Sequence, residues 1–174
     1  MSRLVFVTGG ARSGKSDFSM RLAEDSGLAP LYIATATAGD PEMAERIGRH
    51  RDARGGAWTT LEEPLDLVGA ISGLSGKGHA AVVDCLTLWL TNMMTFSGDG
   101  FEDTARVEAG RLAAALRSFD GVSVVVSNEV GLGIVPDNAL ARRFRDAAGA
   151  ANRVIAEAAD EVYLVVSGIP VRIK

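Results

Sequence analysis

The chain has 174 residues, of which 47% are hydrophobic and 23% charged, and its formal net charge is −4. This size and composition predict one globular domain, spanning residues 1–174, with a full-sized core. The acidic balance argues against a nucleic-acid partner, and no apolar run approaches the length of a membrane span. Because Cys85 is the single cysteine and no secretory signal is evident, we expect a core thiol, no internal disulfide and a cytoplasmic protein.

The first predicted elements are a buried strand over Leu4–Val7, a glycine-rich loop over Gly9–Ser16 and a helix over Asp17–Glu24. The loop reads Gly9-Gly10-Ala11-Arg12-Ser13-Gly14-Lys15-Ser16. It fits the phosphate-binding pattern G-x-x-x-x-G-K-[ST] in its strand–loop–helix context. Glycines let backbone N–H groups surround phosphates, while Lys15 can reach the outer phosphates and Ser16 can hold Mg²⁺. We predict that the loop binds a nucleoside triphosphate and that Lys15 is also catalytic.

A second apolar strand is predicted over Leu31–Ala34, and Thr35-Ala36-Thr37 follows its carboxyl end. Ligands of open parallel sheets lie beyond the carboxyl ends of the strands. This segment is therefore either a nucleotide contact or a plain turn between strand and helix.

The next predicted element is a helix from Pro41 to Arg54 that becomes strongly basic. Its basic side chains are Arg46, Arg49, His50, Arg51 and Arg54. The segment is either a solvated charged face or a phosphate-facing cluster around His50. Imidazole can act as a nucleophile near neutral pH, and neighbouring arginines would stabilise the negative charge of a nucleotide transferred to it. His50 is therefore a candidate catalytic nucleophile, whereas we expect His79 to be a surface residue.

A strand over Trp58–Leu61 and a helix over Leu65–Leu74 come next, and then a buried strand over Ala80–Asp84 that ends in an acid. In a fold that has a phosphate loop, an acid at this point is expected to hold Mg²⁺ directly or through water, together with Ser16. The alternative is that Asp84 caps the helix predicted over Leu86–Phe96.

The remaining predicted elements are a helix over Glu102–Phe119, a strand over Gly121–Ser127, a long helix from Asp137, and strands over Glu161–Val166 and Ile169–Ile173. The long helix is expected to bury Leu140, Phe144, Ala147, Ala151, Ile155 and Ala158. Alternating apolar strands and amphipathic helices predict a three-layer α/β domain. The polar residues at its strand ends, Thr35, Asp84, Asn128 and Glu129, should converge on the phosphate loop.

Over essentially its whole length the chain resembles the bifunctional adenosylcobinamide kinase / adenosylcobinamide-phosphate guanylyltransferases of cobalamin biosynthesis. The segments that carry the resemblance are Val7–Ser16, Tyr32–Thr35, Glu42–Ile47 leading into His50, Asn128–Pro136 and Ala159–Ile169. The Asn128–Pro136 run and the histidine segment are far more specific than the phosphate loop. The resemblance implies a P-loop NTPase domain with a RecA-like, mostly parallel sheet, an antiparallel C-terminal edge strand, and a homo-oligomeric, trimeric assembly.

The resemblance also implies two activities. In the first, a nucleoside triphosphate, ATP or GTP, phosphorylates the hydroxyl of the aminopropanol arm of adenosylcobinamide in the presence of Mg²⁺. In the second, GTP loses pyrophosphate, and its GMP passes through a covalent bond to a histidine, here His50, onto that phosphate to give adenosylcobinamide-GDP. The nucleotide contacts of the family match the Gly9–Ser16 loop and Ala34, Thr35, Ala36, Arg51, Asp52, Ala53, Arg54, Glu62 and Asp84.

The chain departs from the family pattern at two positions. Arg49 stands where some relatives carry the first of two histidines, and Asp84 stands where some carry glutamate. From the residues alone, two alternatives stay open: a P-loop kinase of another small hydroxyl compound, or a RecA-like ATPase or switch module. The first predicts no covalent nucleotide, and the second predicts salt-dependent binding to single-stranded DNA. The general base of the kinase step is either Glu129 or Asp84.

Overall fold

The computed structural model describes residues 2–39, 45, 48, 51, 54–74, 78–97 and 100–174. Within these ranges the strands are β1 (Arg3–Gly9), β2 (Ala29–Ala34), β3 (Thr59–Glu62), β4 (His79–Asp84), β5 (Gly121–Val126), β6 (Glu161–Val166) and β7 (Ile169–Arg172). The helices are α1 (Lys15–Glu24), α2 (Leu67–Gly73), α3 (Leu86–Ser97), α4 (Phe101–Ser118) and α5 (Ala139–Ala158). Most of the helix predicted over residues 41–54, including His50, lies outside the described residues; Glu45, Gly48, Arg51 and Arg54 have helical backbone.

The strands form a seven-stranded sheet in the order β3-β2-β4-β5-β1-β6-β7. Neighbours pair in parallel, except that β6 and β7 form an antiparallel hairpin at the sheet edge. Strand β5 lies between β1 and β4, because Val124 pairs with Val5 on one side and Val82 on the other. The carboxyl ends of these three strands therefore meet, and the predicted mostly parallel sheet with an antiparallel C-terminal edge strand is confirmed.

Both faces of the sheet are covered, as the alternation of residues along β1 illustrates. Leu4 and Phe6 belong to a buried cluster shared with α2, α3, α4 and α5. Val5 and Val7 belong to a second cluster, against which Phe18 of α1 packs. Successive residues of a strand point to opposite faces, so an uninterrupted apolar run is what a strand buried on both sides requires. The result is the predicted three-layer α/β arrangement.

Helix α5 begins later than predicted, at Ala139, because the side chain of Asn138 accepts a hydrogen bond from the backbone N–H of Ala141 and so caps the helix. The expectation that Leu140 is buried was wrong, since 51% of this residue is exposed. The first turn of α5 extends beyond the core, and full burial begins at Ala147. Among the described residues, no helix has both the length and the apolar character needed to cross a bilayer.

Candidate functional site

The Gly9–Ser16 loop joins β1 to α1, as the sequence predicts. Gly9 has a φ of +151°, and a Cβ at this position would overlap the carbonyl oxygen of Val165 in β6. Gly14 precedes α1 with a φ of +93°, a left-handed conformation that side-chain-bearing residues rarely adopt. The exposed residues of the loop are Gly10, Ala11 and Arg12. Two of its glycines are thus required by close approach and backbone conformation, independently of any ligand.

Contacts from within the loop and from the C-terminal hairpin hold its shape. The ammonium of Lys15, whose side chain is largely buried, donates a 2.6 Å hydrogen bond to the carbonyl of Gly10 and so lies over the loop. The backbone N–H of Gly168, at the turn between β6 and β7, donates a 2.8 Å hydrogen bond to the carbonyl of Ser13. The loop is therefore supported by the last hairpin of the described chain as well as by its own strand and helix.

Asp84, at the carboxyl end of β4, receives two hydrogen bonds on the same oxygen. Ser16 Oγ and the hydroxyl of Tyr32 each lie 2.6 Å from Asp84 Oδ2 and donate to it. The side chain thus turns toward α1 and β2, which favours the predicted pairing with Ser16 over a cap on α3. Burial, and after it the charge of Asp84, raises the pKa of Tyr32 well above its ordinary value, so its hydroxyl stays protonated and remains a donor.

The Ser16–Asp84 pair has the chemistry of a magnesium site. A hydroxyl and a carboxylate are the hard oxygen ligands that Mg²⁺ prefers, and proteins commonly hold this ion with one or two side chains plus substrate phosphates and water. The described residues contain no cluster of three or more acidic, histidine or cysteine side chains that would form a cage from protein ligands alone. The donor set therefore fits an ion held between this pair and the phosphates of a nucleotide.

A second group of polar residues surrounds Glu129, which follows β5. Thr8 Oγ1 donates a 2.6 Å hydrogen bond to Glu129 Oε1, and the backbone N–H of Glu129 donates to the carbonyl of Gly9. The amide of Asn152 in α5 lies 3.3 Å from the same Glu129 Oε1, and its oxygen accepts a 2.6 Å hydrogen bond from Ser127. These contacts hold the Glu129 carboxylate beside the start of the phosphate loop. Sequence reasoning placed Glu129 at this edge but missed Asn152.

Thr35 and Asn128 are brought to the same edge, where they support the backbone. Thr35 is fully buried, and its hydroxyl donates to the carbonyl of Cys85 and accepts from the N–H of Cys85. Asn128 donates a 3.0 Å hydrogen bond to the hydroxyl of Thr87 at the start of α3. Cys85 is buried as predicted, and burial raises the pKa of its thiol, so it is not a reactive thiolate.

The other predicted nucleotide contacts differ in their position and in their exposure to solvent. The guanidinium of Arg54 lies over the ring of Tyr32, 3.9 Å from the ring centroid, and Arg54 Nη2 donates to Thr60 Oγ1 at 3.3 Å. Arg51 and Glu62 are exposed, and Ala34 and Ala36 are half-buried at the end of β2. His50, Asp52 and Ala53 lie outside the described residues. His79 is the first residue of β4 and so lies at the amino-terminal end of the strands, opposite the end that carries the phosphate loop. Its Nδ1 lies 3.3 Å from the carbonyl oxygen of Ala29.

A mostly parallel sheet whose first strand leads through the Gly9–Ser16 loop into α1, with an acid at the end of β4, defines a P-loop NTPase. Among solved structures, the fold is similar to that of the P4 protein of bacteriophage phi6 in complex with ADP, with a TM-score of 0.54 and 14% identity over 98% of this chain and 54% of that one. At this identity the likeness shows the fold alone.

The chain belongs to the cobinamide kinase / cobinamide phosphate guanyltransferase family, whose family model matches residues 5–173. It is 46% identical to the bifunctional adenosylcobalamin biosynthesis protein CobP of Pseudomonas aeruginosa, over 97% of this chain and 95% of the relative. It is 42% identical to the bifunctional adenosylcobalamin biosynthesis protein CobU of Escherichia coli K12, over 98% of this chain and 99% of the relative. The chain is thus a bifunctional enzyme of cobalamin biosynthesis, which confirms the family indicated by the sequence.

Proposed function

We propose that a single domain, residues 1–174, first phosphorylates the hydroxyl of adenosylcobinamide and then transfers GMP from GTP to the resulting phosphate. The observation that carries this proposal is the direct contact between Ser16 and Asp84, which joins the residue after Lys15 in the phosphate loop to the carboxyl end of β4. This arrangement presents a cation and two hard oxygen ligands at one place, which is what binding a triphosphate with Mg²⁺ requires.

In the kinase step, the corrinoid hydroxyl oxygen attacks the γ-phosphorus of the nucleoside triphosphate, and the bond from that phosphorus to the bridging oxygen breaks as the diphosphate leaves. Lys15 and the loop N–H groups hold the phosphates in line, while Mg²⁺ bound by Ser16 and Asp84 would neutralise their charge. We assign acceptance of the hydroxyl proton to Glu129. Its position beside Gly9 supports this role. The hydrogen bonds that Thr8 and Asn152 donate to the Glu129 carboxylate both end on Oε1, and neither occupies Oε2. The Asp84 carboxylate, in contrast, accepts a hydrogen bond from Ser16.

In the guanylyl-transfer step, a ring nitrogen of neutral His50 attacks the α-phosphorus of GTP, and the bond to pyrophosphate breaks. An oxygen of adenosylcobinamide phosphate then attacks the same phosphorus, which breaks the nitrogen–phosphorus bond and regenerates the imidazole. Nucleotide contacts at Ala34–Ala36, Arg51–Arg54 and Glu62 belong to this proposal. The family pattern supports the role of His50, and the position of Arg54 over Tyr32, next to Asp84, supports a nucleotide path from this segment to the phosphate loop.

The experiment that tests the histidine intermediate is covalent labelling. The protein is incubated with Mg²⁺ and GTP that carries a radioactive α-phosphate, denatured, and assayed for retained label in wild type, His50→Ala and His79→Ala. We expect acid-labile, alkali-stable label on wild type and His79→Ala, but none on His50→Ala. His79 is the matched control because it is the other histidine of the chain and lies at the opposite edge of the sheet.

No label on wild type, under conditions in which GTP binding is measured directly, would remove the covalent intermediate from the proposal. Label that survives in His50→Ala but disappears in His79→Ala would move the nucleophile to the other histidine. Either result would leave the kinase step to be tested separately, by transfer of the γ-phosphate of ATP or GTP to adenosylcobinamide.

We also propose that the protein works as a homo-oligomer, a trimer. Exposed apolar side chains on the C-terminal hairpin support this: Val166, Ile169, Val171 and Ile173 are each about half exposed or more. Such a patch is commonly covered by a partner. Light scattering on the purified protein should give a mass three times that of the 18.2 kDa chain. A mass equal to that of one chain at assay concentration would contradict self-association.

A further inference from the structure

Tyr32 contacts two residues of the proposed site, Asp84 and Arg54. The sequence did not predict a role for Tyr32 at either residue. It lies on β2 with only 5% of its surface exposed. Its hydroxyl donates to Asp84, and the guanidinium of Arg54 covers its ring. Trp58 packs against the ring edge-on, at 6.2 Å between centroids, and the Trp58 indole is in turn held by a 2.9 Å hydrogen bond to Glu24. The phenol is therefore held in place by contacts to both its ring and its hydroxyl.

The two donors on Asp84 leave its carboxylate little freedom to rotate. Ser16 and Tyr32 approach Asp84 Oδ2 from α1 and β2 respectively, so a turn of the carboxylate would break one hydrogen bond or both. Ser16 is also the proposed ligand of the ion, because its hydroxyl can donate its proton to Asp84 while its lone pairs face a cation. Tyr32 is the second donor, and its hydrogen bond holds Asp84 Oδ2 in this orientation.

We infer that Tyr32 is a positioning residue, which sets the Asp84 carboxylate for Mg²⁺ and joins that ion's ligand to Arg54. This inference rests on the magnesium site in the proposed function. The second connection depends on Arg54, whose Nε is buried and has no hydrogen-bond partner among the described residues. The ring of Tyr32 is thus a main contact of the Arg54 guanidinium, and a cation over an aromatic face is an attractive arrangement.

The test measures binding of the α,β-imido analogue of GTP, which cannot release pyrophosphate, by calorimetry in Mg²⁺ and in EDTA. The ratio of the two dissociation constants reports how strongly the ion and the nucleotide are coupled, with no need for turnover. We expect Tyr32→Phe to lower this ratio about tenfold or more, the scale of one hydrogen bond to a charged group, with little change in EDTA. Tyr32→Leu, which also removes the ring under Arg54, should in addition weaken binding in EDTA.

The chain offers a matched control in Tyr163, whose hydroxyl also donates to a carboxylate, Glu161 Oε2, at 2.7 Å. Tyr163→Phe and Tyr163→Leu should leave the ratio at its wild-type value, and thermal unfolding of every variant checks the fold. Asp84→Asn supplies the value expected when the proposed ligand is lost.

Three results would overturn the inference. If Tyr32→Phe keeps the wild-type ratio while Asp84→Asn loses it, the magnesium site stands and Tyr32 has no positioning role. If Asp84→Asn keeps the ratio, Asp84 is not a ligand, and Tyr32 has nothing to position. If wild type itself binds equally well in Mg²⁺ and EDTA, the magnesium site of the proposed function fails as well.

Discussion

The hydroxyl of Thr8 donates a 2.6 Å hydrogen bond to Oε1 of Glu129. This bond joins the residue just before the phosphate loop to a residue in the segment that follows β5. The backbone N–H of Glu129 adds a second link, to the carbonyl of Gly9. These two contacts fix both ends of the Glu129 residue, backbone and carboxylate, at the point where the loop begins. The position suits a group that takes a proton from a hydroxyl about to attack a bound triphosphate.

Glu129→Gln tests that role, because glutamine keeps the shape and can still accept from Thr8 but cannot take a proton. We expect the kinase kcat to fall by about 100-fold or more. Guanylyl transfer to adenosylcobinamide phosphate supplied directly should remain within a few-fold of wild type. The two activities are measured separately, with Asp137→Asn, an exposed acid just before α5, as the control. An equal fall in both activities would show that Glu129 serves the structure of the site instead.

Asn152→Leu tests the buried polar group that sequence reasoning missed. The variant removes the acceptor for Ser127 and leaves that buried hydroxyl without its partner, so the free energy of unfolding should fall by about 1–3 kcal/mol. Urea denaturation provides the measurement. Adding Ser127→Ala to Asn152→Leu should cost less than Ser127→Ala costs in wild type, because the hydroxyl has already lost its bond. Strictly additive losses would mean that the two side chains are not coupled.

Gly9→Ala and Gly10→Ala form a matched pair within the phosphate loop. A Cβ at Gly9 would overlap the carbonyl of Val165, whereas a Cβ at Gly10 meets no atom within 4 Å. We expect Gly9→Ala to cost about 2–4 kcal/mol of stability from strain and overlap, which lowers Tm by about 5 °C or more. Gly10→Ala should unfold within about 1 °C of wild type. Equal Tm values for the two variants in a thermal melt would contradict the close approach of β6.

Asp160 gives the stability of the protein a dependence on acid pH. The backbone N–H of Leu4 and, more weakly, Arg117 hold the pKa of Asp160 below its ordinary value. A carboxyl with a depressed folded-state pKa stabilises the fold at pH above its unfolded-state pKa, and this stabilisation is lost as the pH falls through the folded-state pKa. Asp160→Asn should therefore be less stable than wild type at pH 7, and the difference should shrink as the pH falls below 3.8, the ordinary pKa of an aspartate.

Urea titrations at a series of pH values check the Asp160 prediction. Asp137→Asn is again the control, since it removes one carboxylate from the surface before α5, far from Leu4 in the sequence. If the gap between wild type and Asp160→Asn stays constant from pH 7 to the acid limit of folding, the contact with Leu4 does not depend on ionisation.

The position of Asp84 could be predicted because it depends on local sequence and on a general property of parallel sheets. An apolar run that ends in an acid marks the carboxyl end of a buried strand, and such ends lie at one edge. The same reasoning placed Glu129 beside the phosphate loop. Neither inference required knowledge of which strand pairs with which, because the carboxyl end of every parallel strand lies on the same side of the sheet.

The roles of Tyr32 and Asn152 could not be predicted in this way. Tyr32 reads as one apolar residue of a buried strand, and its partner Asp84 is set by the pairing of β2 with β4, which the sequence does not specify. Asn152 follows Ala151 in a helix whose apolar spacing hides the one polar residue that faces inward. Leu140 shows the converse error, because helical spacing continues beyond the end of the core that the helix covers.

The hydrogen bond from Gly168 to Ser13 has a consequence for how the enzyme is made. The phosphate loop leaves the ribosome before the turn that supports it, because Ser13 precedes Gly168 in the chain. Strand β6, which forbids a side chain at Gly9, also follows the loop. A nascent chain can therefore carry the complete Gly9–Ser16 sequence before β6 and the β6–β7 turn are present to give the loop its final shape.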